Sequence, residues 1–139
     1  MSTHDEAQAA LGRAARVESA ALRNSGWYTR YLWVFAAGQL ALVPMSLLWQ
    51  GITAALVFAL SVFALVGGLS VYAARQRVVR RGFGALHGGV IGSWAALFAV
   101  SVGLGTSSFE DSVPFAVVAA VACALPPGLA AIAEGRRTA

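Results

Sequence analysis

The sequence predicts an all-α integral membrane protein: four transmembrane helices as two hairpins, plus an N-terminal cytoplasmic amphipathic helix. Three observations carry this. Of 139 residues, 58% are hydrophobic and only 12% charged, whereas a soluble domain is about 25% charged. The apolar residues fall in long stretches that are apolar all round, unlike the two-faced helices of a soluble bundle, and each exceeds the length of about 18 residues that marks a span. The ten basic residues, all arginine, lie outside those stretches. The length suits one domain.

Residues 1–26 form the first element. Thr3 and Glu6 stand in capping-box spacing. Ala7, Ala10, Leu11, Ala14, Val17 and Ala21 make a stripe at helical spacing, with Arg13, Arg16, Glu18 and Arg23 mostly off it. Asn24–Gly26 reads as a stop. No apolar core follows a short basic start, so this is not read as a secretory signal. The expectation is a helix near the membrane surface whose mostly alanine stripe inserts weakly. A solvated helix and a docking helix for a partner are the alternatives.

Trp27, Tyr28, Tyr31 and Trp33 form an aromatic belt entering the first span. From Tyr31 to Ala74 there is no charged residue. As one helix this stretch would be about twice as long as a bilayer core is thick. It must fold back, and Leu48–Gly51 is the natural place: Trp49 suits an interface and Gly51 a turn. The expected spans are 31–49, with a kink at Pro44, and 52–74. The third runs over 84–105. Thr106–Ser112 is a polar turn holding Glu110 and Asp111. The fourth covers 113–133, capped by Ser112 and broken or bent at Pro126 and Pro127. The transmembrane domain is thus 27–135, and 136–139 is a cytoplasmic tail.

With four spans, every arginine falls on one side. Arg13, Arg16, Arg23 and Arg30 precede the first span, Arg75, Arg77, Arg80 and Arg81 lie between the second and third, and Arg136 and Arg137 follow the fourth. Basic residues in short loops stay cytoplasmic. Both termini and the Arg75–Arg81 loop are therefore expected inside, and the acidic turn outside. Orientation alone accounts for the cluster, and anionic lipid headgroups are its natural partner. Nucleic acid is not expected, since a short loop pinned to the membrane offers no groove-reading element.

The spans contain no Asp, Glu, Lys or Arg, and proton- and ion-coupled transporters usually need such a residue there. Small multidrug-resistance exporters share the length and the four-helix count but carry a membrane-embedded glutamate in the first helix. Here that region offers Gln39, and the family is excluded. Gln39 is expected to make an interhelical hydrogen bond. Ser46, Ser61, Ser70, Ser93 and Ser101 can bond back to their own helices. His87, near the arginine loop, lacks a second ligand for metal or haem, since the other histidine is His4 in the N-terminal segment. Cys123, the single cysteine, sits among alanines as a small buried side chain. No nucleophile–base set or paired carboxylate is within reach, so neither an enzyme nor a cofactor is expected.

Two stripes of small residues are more specific. Gly84, Gly88, Gly92 and Ala96 recur every four residues along span three, and Ala116, Ala120, Ala124 and Gly128 along span four. Small residues at that spacing let helix backbones approach closely. They pack the bundle itself, three against four, or they form an interface with a second copy or a partner.

The Trp27–Tyr28 entry after an Arg/Ala-rich amphipathic start resembles many small uncharacterised membrane proteins of high-GC bacteria, in the layout of the whole chain. That resemblance implies no particular activity; the all-arginine basic residues with heavy Ala, Gly and Val usage suggest a high-GC bacterium, hence its plasma membrane. Two functions are expected: a non-enzymatic interaction protein or accessory subunit, or a small transporter or channel for an uncharged or lipid-like solute.

Overall fold

The computed structural model describes residues 2–24, 26–76 and 82–138. Arg77, Arg80 and Arg81, and Ser25 of the expected stop, lie outside them. Five helices follow one another: α1 (Thr3–Asn24), α2 (Gly26–Leu48), α3 (Ile52–Ala74), α4 (Phe83–Ser107) and α5 (Val113–Thr138). Among the described residues all regular structure is helical. Four stretches are long and apolar enough to cross a membrane.

The turns have simple causes. Gly51 and Gly82, ahead of α3 and α4, have φ of 109° and 83°, a region that L side chains rarely adopt. Between α4 and α5, Leu104 O accepts the Ser108 and Phe109 amides. Ser112 Oγ then accepts the Phe115 N–H at 3.4 Å, capping α5.

Two boundaries differ from expectation. Helix α2 begins at Gly26, so the aromatic belt is part of its first turns. Helix α5 continues through Pro126 and Pro127 to Thr138, and the expected tail is largely its last turn. Arg136 and Arg137 there complement the negative end of the helix dipole, and Arg137 pairs with Glu134 at 3.6 Å. Pro44 likewise lies inside a continuous α2.

Helix α2 is the axis of the molecule. It packs along α5 and also touches α3, α4 and α1, while α4 packs on α5. The reason is complementary size. The inward face of α5 is built from Ala116, Ala119, Ala120, Cys123 and Ala131, all buried. Against this shallow surface α2 sets the larger Leu32, Val43 and Leu47. Helix α3 is the least buried span, with only Ala54 and Leu69 inside. Its approach to α2 runs through Gly38, where an added Cβ would lie 2.6 Å from the Leu65 side chain.

Two core clusters mark the ends of the bundle. At one end Trp27, Tyr28 and Leu32 of α2 meet Val90 of α4 and Ala131 of α5, with Tyr72 and Phe83 packed beside them. At the other, Val43 and Leu47 meet Ala116, Ala119, Ala120 and Cys123, with Phe115 alongside. The first end therefore gathers the start of α2, the finish of α3, the start of α4 and the finish of α5. Arg30, Arg75, Arg136 and Arg137 belong to it, and Glu110 and Asp111 to the opposite turn.

Candidate functional site

Gln39 sits midway along α2, between the two clusters, and is 2% exposed. Its carboxamide takes part in no hydrogen bond among the described residues. The interhelical bond expected of it is not formed among the described residues; on its cleft side it is bordered by apolar and aromatic side chains.

Gln39 floors a cleft of about 130 Å³ between α3 and α4. Phe35 and Leu42 of α2 share the floor, Phe58, Val62, Leu65 and Val66 of α3 make one wall, and Trp94 and Phe98 of α4 the other. Phe35 and Trp94 meet edge to face at 5.2 Å, and Trp94 stacks on Phe98 at 5.6 Å. The Phe58 and Phe98 rings face each other across the cleft at 6.5 Å, nearly parallel at 8°. The Trp94 Nε1–H is buried without a partner. No charged side chain lines this space.

The serines do not join it. Ser46, Ser61 and Ser93 donate to Val43, Val57 and Gly89 carbonyls of their own helices at 2.8, 2.7 and 2.8 Å. Ser70 is exposed. Ser101 alone reaches across, placing its Oγ 3.8 Å from Cys123 Sγ on α5.

The arginine-rich end holds an aromatic nest. Trp27, Tyr28, Tyr31, Tyr72 and Phe83 pack ring against ring. His87 stacks on Phe83 at 5.4 Å, and its Nδ1 lies 3.3 Å from the Tyr28 hydroxyl. That bond orients the imidazole, its direction depending on the tautomer. Among the described residues no three of His, Cys, Asp and Glu gather around a common point.

Glu134 is the residue that sequence reasoning missed. It is 6% exposed, on the buried face of α5 one turn beyond Ala131. Only the structure reveals it: the buried positions Ala120, Cys123, Pro127 and Ala131 continue by helical spacing to 134. Glu134→Lys, which sets a buried cation beside Arg137, is expected to destabilise the protein by about 3 kcal/mol. Arg137→Ala should cost under about 1 kcal/mol, since that side chain is 60% exposed. Thermal unfolding in detergent, followed by circular dichroism, measures both. Equal effects would reject a structural role for the buried carboxylate.

The two small-residue stripes part company. Ala116 and Ala120 are buried, and Ala124 and Gly128 half-buried, on the α5 face toward the bundle. Gly84, Gly88, Gly92 and Ala96 are all exposed, and an added Cβ on any of the three glycines would meet nothing within 4 Å. Helix α4 does pack on α5, but Val90, Ser101 and Gly105 are its buried positions. The expected meeting of stripe with stripe does not occur, because the α5 stripe is filled by α2. Arg75 is exposed at the end of α3. Leu11 and Val17 of the α1 stripe are 70% and 71% exposed, so the bundle does not cover it.

No protein family, curated protein or solved structure matches this chain. The functional reading therefore rests on these side chains.

Proposed function

We propose that the chain is a multi-pass protein of the bacterial plasma membrane that acts by docking against other transmembrane helices, as a non-enzymatic accessory subunit or homo-oligomer. Its four apolar helices cross the bilayer as two hairpins with both termini cytoplasmic. The arginines of the inner end lie against anionic headgroups, whose negative potential attracts them.

One observation carries the docking reading: the Gly84–Gly88–Gly92–Ala96 face of α4 is open along its length. In lipid, helix association gains little from apolar burial and depends on close backbone packing, which such a face permits. A glycine stripe turned toward lipid forgoes the large side chains that would otherwise pack there.

The mass of the purified protein in detergent tests this, with a Gly88→Leu, Gly92→Leu double variant beside it. A defined oligomer, or a co-purifying membrane protein, that is lost in the variant is the expected result. A monomer without company in both samples would sink the proposal. A transport role for an uncharged or lipid-like solute is the second reading, favoured by the cleft over Gln39. It requires that Gln39→Leu abolish movement of the solute while assembly persists.

A further inference from the structure

We propose that the cleft over Gln39 is a binding site for a small uncharged amphiphile: one ring or a short branched chain in size, bearing a single hydroxyl or carbonyl group. Its volume of about 130 Å³ is close to the roughly 150 Å³ of an engineered apolar cavity that takes a benzene ring. Phe35, Phe58, Trp94 and Phe98 supply ring faces and edges for a flat apolar body. The absence of any charged side chain from the lining excludes an ionic ligand.

Gln39 supplies the polar requirement. A carboxamide offers two donors and an acceptor oxygen, and here a side chain 2% exposed uses none of them among the described residues, while the Trp94 Nε1–H on the same lining is buried without a partner. A ligand hydroxyl or carbonyl satisfies part of that capacity, and a purely apolar ligand leaves it as it is. The route in lies between α3 and α4, since Val66 on the cleft rim is 49% exposed. In the membrane placement proposed above, on which the route rests, that opening faces lipid. The site itself is independent of the α4 glycine face, so the two proposals fail separately.

The probe is a diazirine-bearing benzyl alcohol, photoactivated on the purified full chain in micelles, with adducts mapped by peptide mass spectrometry. Unlabelled benzyl alcohol and toluene are the competitors, differing only in the hydroxyl. Adducts are expected on the cleft segments 35–42, 58–66 and 94–98. Benzyl alcohol should compete about three- to tenfold better than toluene, the size of one net hydrogen bond. Gln39→Leu should erase that preference, and Val62→Trp, which fills the cleft from the less buried α3, should erase the cleft adducts. Adducts spread evenly over the exposed faces of α3 and α4 would overturn the site. Equal competition by the two compounds in the unaltered protein would overturn the polar contact and leave Gln39 to water. That comparison needs no variant, so misfolding of Gln39→Leu cannot blur it.

Discussion

Gly105→Leu is expected to leave little folded protein, whereas Gly88→Leu on the same helix leaves the monomer's fold intact. Gly105 is buried where α2, α4 and α5 meet at the acidic end. A Cβ there would overlap the Leu47 side chain and stand 3.2 Å from the Phe115 ring. Leu47 is itself 6% exposed and held in the core cluster, so it has nowhere to retreat. Overpacking of this kind costs about 1–3 kcal/mol for a few added methylenes, and leucine adds a whole side chain at a three-helix junction. Gly88 has open space beyond it. Helical content, melting temperature and monodispersity in detergent would separate the two variants. Similar behaviour of both would mean that α4 is rotated about its axis relative to the packing described here.

The second large effect is all-or-none. Single cysteines placed at Ala9, Arg75 and Glu110, all exposed positions, should differ in reaction with a membrane-impermeant thiol reagent on intact cells. Glu110→Cys should label. Ala9→Cys and Arg75→Cys should label only after the membrane is opened. The native Cys123 is fully buried against α2, which keeps the background low. Labelling of Arg75→Cys in intact cells would reverse the proposed orientation. Labelling of all three would refute bilayer insertion as four spans. Trp27, Tyr72, Phe83 and Ala131 converge in one cluster, which places Arg75 at the end of the bundle opposite to Glu110.

Much of this was legible from residues alone. Ile52–Ala74 was bounded by charge and by Gly51, and the helix has those limits. The polar turn around Glu110 and the Ser112 cap were equally plain. The ends of α2 and α5 were less so. Trp27 and Tyr28 read as belt residues outside the span, yet they are core residues of α2. Glu134 fell just past the fourth span, 113–133, because one acid ended the apolar run. The helix continues past it to Thr138, and Ala131, one turn earlier, packs against Trp27 and Tyr28 of α2.

The chain's composition by itself determined that there are four long apolar helices, where they turn, and that Arg30, Arg75, Arg136 and Arg137 lie at one end while the acids of the connecting turn lie at the other. Apolar length, turn glycines and charge are local properties, readable one segment at a time. Only the tertiary structure decided which side of each helix faces inward. Helices that are apolar all round carry no amphipathic signal, and lipid is as apolar as a protein core, so hydrophobicity cannot select a face. The stripe at Ala116–Gly128 turned in because α2 presents Leu32, Val43 and Leu47 to fill it. The stripe at Gly84–Ala96 turned out, since α4 reaches the bundle through Val90, Ser101 and Gly105 instead. Shape complementarity between two helices made that choice, and it is a property of the pair rather than of either sequence.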